Sequence, residues 1–164
     1  MGRIENSFAP PEPCAPITTT STILRFLAES SADSPGGRVS AGVVMKWIDE
    51  AANVVANQWA KSPCVAASFG RLRFMHPVVG GALVEVEARL AYTGTTSMNI
   101  FIEVRSGPLP GEAHQEVTHC VAVFVSPDDA GTPRPVDKWT PETPGDMALA
   151  QLVRGQIEAG RPTH

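Results

Sequence analysis

The sequence predicts an α+β fold in which one antiparallel sheet wraps around a single long helix. One strand-like segment comes first, a long apolar helix follows, and four further strand-like segments come after it, joined mostly by short connections. The chain lacks the alternating strand and helix repeat that a doubly wound parallel sheet needs. Because the helix is apolar almost all round, the sheet, alone or with a second subunit, has to cover its sides.

The length of 164 residues fits one domain with a substantial core. Residues 1–20 are rich in Pro and Thr and are expected to form an extended arm. Residues 21–138 are expected to form the folded domain, and residues 139–164 a linker and a last helix.

Composition excludes several classes of function. The 13 basic and 17 acidic residues leave a net charge of -4 without any basic run, so a nucleic-acid partner is not expected. No segment approaches the roughly 20 apolar residues of a membrane span. Three distant cysteines, Cys14, Cys64 and Cys120, favour neither a disulfide framework nor a zinc site. We therefore expect a soluble cytoplasmic protein without a membrane partner.

The first strand and the long helix have clear local signals. In residues 21–30 apolar and polar side chains alternate, which predicts a strand. Residues 31–37 are small or restrict the backbone, which predicts a turn. A helix is predicted over 39–60, with Ser40 as its cap or first-turn residue. Pro63 ends it, because the residue before a proline disfavours the helical region.

After the helix, the hydrophobic period changes from 3.6 to 2. Residues 81–92 place one set of side chains on a common apolar side: Val84, Val86, Ala88, Leu90 and Tyr92. Residues 97–105 repeat the pattern, and a short turn centred on Gly94 makes the two a hairpin. Residues 64–74 and 116–126 complete the strands, and the latter, apolar on both faces, is expected inside the sheet.

The last helix is predicted over residues 144–159. Thr143 and Asp146 have the spacing of a capping box, Pro144 stands at the first helical position, and Gly160 follows the end. Both ends of this helix therefore carry explicit signals.

Asp49 is a carboxylate inside the long apolar helix. It shares a helix face with four residues: Gly42, Met45, Ala52 and Asn53. Lys46 and Glu50 beside it form an ordinary i, i+4 pair. A buried carboxylate loses hydration, so it either has a hydrogen-bond or ion-pair partner or belongs to a functional site. The residues alone leave open whether Asp49 lies on an exposed strip or in a functional site.

Three segments carry a resemblance to a known family: GRVSAGVVMKWIDEAA (37–52), LRFMHPVVGGALVEVEARLAYTGTTSMNIFIEV (72–104) and VAVFVSPDDAGTPRPV (121–136). The chain resembles the hotdog-fold acyl-CoA thioesterases of the cytosolic acyl-CoA hydrolase type over most of 21–138. The most specific parts are F-x-H-P-V-x-x-G (74–81) and T-G-x-T-S-M. The resemblance implies the same sheet-around-helix fold and hydrolysis of an acyl-CoA to a free acid and CoA.

The resemblance also implies roles for residues of the long helix. Ala41 and Gly42 match the helix start whose amides polarise the thioester carbonyl, and Asp49 matches the general base or nucleophile. The sequence does not separate these two routes. No metal or redox cofactor is implied, and CoA enters only as part of the substrate and product.

One position departs from the family pattern. Ser34 stands where the family usually has an asparagine contributed by a neighbouring subunit. A hydroxyl can hold the water, but with one donor instead of two. We expect Ser34 near the site, and its presence keeps a non-catalytic acyl-CoA binding protein as the alternative.

The family resemblance places CoA beside the hairpin turn and several basic residues. The turn residues are Gly94, Thr96, Ser97 and Met98, and the basic candidates are His76, Arg71, Arg73, Arg134 and Lys138. His76 and Arg134 are the strongest of the basic set, as possible partners of the CoA phosphates. Turn chemistry and ordinary surface charge remain the alternative interpretations.

Other hypotheses are weaker. The serine of GRVSAG stands one residue too late for a nucleophile elbow. His119 lies in phase with Val117 and Val121 on a predicted interior strand, which favours a core histidine; a hotdog hydratase would need it paired with an aspartate. A dimer is the minimum assembly, and the family commonly forms hexamers as trimers of dimers.

Overall fold

The computed structural model describes residues 20–29 and 35–159. It contains five strands and two α-helices in this order: β1 Ser21–Leu27, α1 Ala41–Ala60, β2 Val65–Gly70, β3 Leu83–Thr93, β4 Ser97–Gly107, β5 Gln115–Val125 and α2 Pro144–Ala159. A 3₁₀ turn, Pro35–Gly37, precedes α1. The strands form one antiparallel sheet in the order β1-β3-β4-β5-β2. The predicted α+β class is confirmed.

Helix α1 lies against the inner face of the sheet and packs on all five strands. Its buried side chains are Val44, Trp47, Ile48, Ala51, Ala52, Val55 and Ala56. The alanines let the strands approach closely, while each large apolar side chain contributes about 1.5–3 kcal/mol by burial. The helix begins at Ala41, two residues later than predicted, with Ser40 as its N-cap, and ends before Lys61, which is left-handed.

The inner face of the sheet follows the predicted alternation over β3 and β4. Its fully buried members are Val84, Val86, Ala88, Ile100, Ile102 and Val104. The turn between these strands closes as a hairpin, since the Gly94 amide donates to the Ser97 carbonyl at 2.8 Å. Strand β5 has a neighbour on each side, so its predicted interior position is confirmed.

Two predictions about these strands are wrong. A bulge between Leu90 and Tyr92 turns both Ala91 and Tyr92 to the outer face, so Tyr92 does not share the side of Leu90. Strand β2 ends at Gly70 rather than at residue 74, because Arg71 has a left-handed backbone (φ 26°) that breaks the extended chain.

Helix α2 covers part of the outer face, where Leu149 and Val153 pack on Ala91 and Val121. Its predicted start is confirmed as a capping box. The Asp146 amide donates to Thr143 Oγ1 at 3.1 Å, and the Thr143 amide donates to Asp146 Oδ2 at 3.1 Å. The hydrogen bonds from Thr143 hold the pKa of Asp146 below its usual value.

On strands β1, β3 and β4, the outer face also carries charged side chains. Arg25 pairs with Glu85 at 2.6 Å, and Arg105 pairs with Glu87 at 2.9 Å, across neighbouring strands. Such half-exposed pairs stabilise the fold weakly, about 0–1 kcal/mol each.

Cys64 and Cys120 are free and buried, and burial raises the pKa of the Cys120 thiol to about 11. Within the described ranges, no group of three metal-ligating side chains is found. No described helix is long and apolar enough to cross a membrane. Cys14 and all but the last residue of the predicted arm over residues 1–20 lie outside the described residues, and the proposed domain division stays a prediction.

Candidate active site

The start of α1 has amides without acceptors. The Val43 and Val44 amides both donate to the Ser40 carbonyl, at 3.1 and 3.3 Å. The amides of Ala41 and Gly42 make no hydrogen bond with any described residue. No acidic side chain occupies the first turn. The helix dipole and two free donors make this end of α1 a potential anion-binding site.

Gly42 leaves space beside those amides. It is exposed, and a Cβ built on it would approach Ser40 Oγ no closer than 4.0 Å. Packing within this chain therefore does not require a glycine here. The absent side chain gives an external group access to the amides.

Asp49 lies two turns further on the same face of α1 and is half-buried. It forms no hydrogen bond or ion pair with the described residues, whereas the adjacent Glu50 pairs with Lys46 at 3.7 Å. Asp49 is thus neither on a fully exposed strip nor compensated by the described part of the chain. This arrangement leaves its carboxylate available for chemistry.

The face that carries Asp49 points toward the open edge of the sheet. One turn beyond Asp49, the Asn53 amide donates to the Cys64 carbonyl at 3.3 Å, and Asn57 Oδ1 accepts from the Cys64 amide at 2.8 Å. Cys64 leads directly into β2, which has no second strand partner among the described residues. Asp49 therefore lies on the flank of α1 beside the edge strand.

Gly42 and Asp49 are separated by seven residues, which corresponds to about 10.5 Å along the helix axis. A general base has to lie about 3 Å, or one water, from the proton it abstracts. The two groups of a single chain are too far apart to act on one carbonyl.

The hairpin turn lies at the other end of α1. The Val136 amide donates to the Thr95 carbonyl at 3.0 Å, and the Arg134 amide donates to the Ser126 carbonyl at 2.8 Å. The structure thus brings Arg134 into the region of the turn. Gly94, Thr96 and Ser97 are half-exposed there, but Met98 is fully buried in the core, so its side chain is not accessible.

A polar cavity of about 300 Å³ opens beside this turn. It lies between the end of α1 and the segment after β5, with Trp59, Lys61, Ser62, Ser126 and Arg134 in its wall. The two serine hydroxyls lie 2.6 Å apart. Sequence reasoning missed Lys61 and both serines, because nothing local marks residues that meet only when the helix end reaches β5.

His76 is not near that cavity. Its Nδ1 lies 2.8 Å from the Glu116 carbonyl at the start of β5, whereas Ser97 of the turn pairs with Val125 at the end of β5. Nine residues of strand, about 30 Å, separate these positions. His76 lies instead at the same end as the start of α1, where the Val39 amide donates to the Val78 carbonyl at 2.9 Å.

His119 is not a core histidine, so that prediction is wrong. It is exposed on the outer face, where Nδ1 lies 2.6 Å from Glu116 Oε1 and the ring stacks on Phe101 at 6.0 Å. The register shifts near Val117, so Val117 faces the core while His119 faces outward. Ser34, the position that departs from the family pattern, lies outside the described residues.

Comparisons with known proteins bear on the family and the fold of the chain. Residues 36–111 match the Thioesterase superfamily. The chain is 28% identical to the cytosolic acyl coenzyme A thioester hydrolase of Rattus norvegicus, over 99% of this chain and 44% of that protein. It is 29% identical to the acyl-CoA thioester hydrolase YciA of Salmonella typhimurium, over 70% of this chain and 88% of that protein. The chain spans less than half the length of the mammalian relative.

Solved structures are similar as well. An apo-hexameric acyl-CoA thioesterase has a TM-score of 0.79 at 29% identity, covering 88% of this chain and 93% of that one. The hexameric thioesterase y2039 of Yersinia pestis has a TM-score of 0.64 at 31% identity, covering 71% of this chain and 94% of that one. An acyl-CoA hydrolase of Staphylococcus aureus in complex with coenzyme A, 23% identical over 85% of this chain and 84% of that one, has a TM-score of 0.78 and shares the fold.

Proposed function

Because the chain belongs to the thioesterase superfamily and has its hotdog fold, we propose that it hydrolyses an acyl-CoA thioester to a carboxylic acid and CoA. The observation that carries this proposal is the pairing of two features on one face of α1: free amides at Ala41 and Gly42, and an uncompensated carboxylate at Asp49. Relatives from rat, mouse and Salmonella that are named acyl-CoA thioester hydrolases support it.

The proposed chemistry follows from these groups. Water attacks the thioester carbonyl carbon while Asp49 takes its proton, and the developing oxyanion accepts hydrogen bonds from the helix-start amides. Collapse of the tetrahedral intermediate breaks the carbon-sulfur bond, and the CoA thiolate takes up the proton. Direct attack by Asp49 to form an anhydride, which water then hydrolyses, is the other route. Neither route uses a metal or a redox cofactor.

We further propose that the site is shared between two copies. Strand β2 is an unpaired edge with Val65 about half exposed, at 50%, and such edges readily pair with another chain. Antiparallel pairing of two β2 strands generates a two-fold axis that sets the two α1 helices in opposite directions. The partner's Asp49 then faces the helix start of the first copy, which removes the 10.5 Å separation within one chain.

The same two-fold axis brings the proposed CoA-contacting residues of the two copies close together. It places the hairpin-turn end of one copy, with Arg134 and Ser97, beside the helix-start end of the other, with His76. Ser34 belongs to the segment that precedes α1, and we place it at this shared site. The hexameric neighbours support further assembly of dimers into a hexamer. The cytosolic names of the mammalian relatives support a cytoplasmic location.

The function is tested by incubating the purified protein with acyl-CoAs of graded chain length and titrating the released thiol. We expect turnover, and we expect Asp49→Asn to lower kcat about 100- to 10,000-fold, the usual contribution of a general base. Glu50→Gln, the neighbouring carboxylate already paired with Lys46, is the matched control and should stay within about twofold of wild type. Tight acyl-CoA binding without turnover would instead establish the non-catalytic alternative.

Sharing of the site is tested by subunit complementation. Co-expression of Asp49→Asn with a helix-start variant, Gly42→Val, gives heterodimers in which one of two sites has an intact helix start and an intact partner carboxylate. Random mixing makes about half of the dimers heterodimers, so about a quarter of wild-type activity should return. If both groups act within one chain, the mixture stays as inactive as its parents.

A further inference from the structure

A groove on the outer face of the sheet has no role in the proposed hydrolysis. It lies between α2 and the outer side of strands β4, β5 and β2, which is the opposite face from α1 and Asp49. Its cavity volume is about 530 Å³, within the range of about 300–1,000 Å³ that small-molecule sites occupy. We call it the outer groove, and its floor is formed by cross-strand neighbours Asn99, Val123 and Ser68.

The walls of the outer groove are largely aliphatic. Val121 and Val123 line its floor, and Leu152, Val153 and Ile157 line it from α2. Leu152 remains 50% exposed although it stands beside this concave surface. An alkyl chain is the occupant that such walls favour, because it removes apolar surface from water on both sides.

Asn99 introduces a polar group into this apolar floor. It is only 4% exposed, yet its side-chain amide makes no hydrogen bond with any described residue. The only buried side-chain nitrogen or oxygen without a partner among the described residues is Arg89 Nε, so the amide atoms of Asn99 reach the surface of the cavity and can bond to a group inside it. An oxygen-bearing ligand in the groove would supply the missing acceptor.

Charge in the outer groove has one sign. Arg71 stands at its margin, directly after the end of β2, and makes no ion pair with the described residues. Among the described residues, no acidic side chain lines the cavity. An anionic head group is therefore electrostatically favoured and a cationic one is disfavoured.

Gly155 keeps the groove open from the helix side. It stands inside α2, where glycine lowers helix stability relative to alanine by about 1 kcal/mol or less. A Cβ built there would meet no atom within 4 Å. Packing in this chain therefore does not call for glycine, and the open space belongs to the groove.

We propose that the outer groove binds a carboxylic acid with a medium or long alkyl chain. The chain lies along the aliphatic walls, and the carboxylate oxygens accept from the Asn99 amide and interact with the Arg71 guanidinium. This proposal rests on the groove alone and goes beyond the proposed hydrolysis, because the groove faces away from the helix start and Asp49.

The test uses the full chain and dodecanoate as the probe, with binding followed by titration calorimetry in the presence and absence of CoA. We expect binding that CoA does not displace. Gly155→Leu, which fills the groove, should weaken it about tenfold or more. Gly145→Leu, on the same helix but outside the groove, is the matched control and should leave it unchanged. Thiol-release rates measured without dodecanoate should be the same in both variants.

The head-group contacts have their own readouts. Arg71→Gln should weaken dodecanoate about fivefold and leave the binding of 1-dodecanol unaltered, while Arg73→Gln changes neither. Asn99→Leu should weaken dodecanoate binding without lowering Tm, because the amide that it removes makes no hydrogen bond with the described residues. A purely structural Asn99 would lower Tm when replaced.

Three results would overturn the proposal. Dodecanoate fails to bind the wild type, or Gly155→Leu binds it as tightly as the wild type, or Gly155→Leu changes the molecular mass measured by light scattering. The last result would show that a second copy of the chain covers the outer groove. Absence of thioester hydrolysis from the wild type as well as the variants would contradict the proposed function and leave these binding results valid, so the two failures are distinguishable.

Discussion

The two α-helices of the described residues begin with similar residues, but the amides of their first turns differ in hydrogen bonding. At the start of α2, Thr143 and Asp146 bond reciprocally and Pro144 has no amide hydrogen, so the Gly145 amide is the one first-turn amide without an acceptor among the described residues. At the start of α1, Ser40 caps more weakly, with Oγ 3.4 Å from the Val43 amide, and two other amides remain free. A carboxylate completes the first turn of α2, whereas Val43 stands at the equivalent position of α1.

This difference separates a structural helix start from one that an external acceptor can use. Both helix starts have the same dipole. At α2, Pro144 and the capping carboxylate of Asp146 leave one free amide beside a negative charge, which disfavours an external anion. At α1, two amides stay free and no acidic side chain occupies the first turn, and the proposed hydrolysis combines these amides with Asp49 of a second copy.

The largest expected effect comes from blocking the start of α1. Gly42→Val places a branched side chain beside the free amides and should lower kcat/KM about 100-fold, comparable to the loss of one oxyanion donor. Gly145→Val at the equivalent position of α2 should leave the rate unchanged. Thiol-release kinetics measure both, with circular dichroism to check folding. Full activity in Gly42→Val would place the oxyanion site elsewhere.

A smaller loss is expected from making α1 resemble α2. Val43→Asp reproduces the spacing of the capping box after Ser40 and brings a negative charge to the first turn. We expect kcat/KM to fall about tenfold, because the carboxylate occupies the amides and repels the developing oxyanion. Val43→Asn, similar in size and uncharged, separates charge from steric change and should lose less. Equal losses in the two variants would remove charge from the explanation.

The caps themselves should differ in stability. Thr143→Ala removes a well-formed cap and should lower the free energy of unfolding by about 1 kcal/mol, whereas Ser40→Ala removes a long hydrogen bond and should cost about 0.5 kcal/mol. Urea denaturation measures both values. A larger cost for Ser40→Ala would mean that the α1 cap matters more to the fold than its geometry indicates.

The smallest effect is a pH dependence confined to α2. Hydrogen bonds from Thr143 lower the pKa of Asp146, so its stabilising contribution is present above its unfolded value of 3.8 and is lost as pH falls through the lower folded pKa. The difference in unfolding free energy between wild type and Asp146→Asn should be about 0.5 kcal/mol at pH 7 and shrink toward zero as the pH falls through the lowered pKa of Asp146. A difference independent of pH would rule out the charge of Asp146 as its source.

Local signals in the sequence predicted most of the elements. The change of period after α1, the turn at Gly94 and the capping box at Thr143 each involve residues within a few positions of one another. Such short-range patterns depend on the local backbone conformation, so they can be recognised in the sequence. The family resemblance added Asp49, Ala41 and Gly42 as site residues, and their assigned roles are part of the proposal to be tested.

Features that depend on contacts between distant residues could not be predicted from local patterns. Tyr92 and His119 were assigned to the wrong faces because one extra residue in a strand reverses the alternation, and only strand pairing creates that bulge. His76 and Arg134 looked like parts of one CoA site, but they stand near opposite ends of β5. Within one chain these two side chains do not meet.

The sequence by itself determined the order of the elements, the bounds of α2 and the carboxylate placed two turns into an apolar helix, because periodicity and capping are properties of neighbouring residues. The tertiary structure decided which flank of α1 carries Asp49, which amides stay free and where the outer groove lies around Asn99. These properties depend on how a helix end, a strand edge and a second helix meet, and residues far apart in the chain set that geometry together.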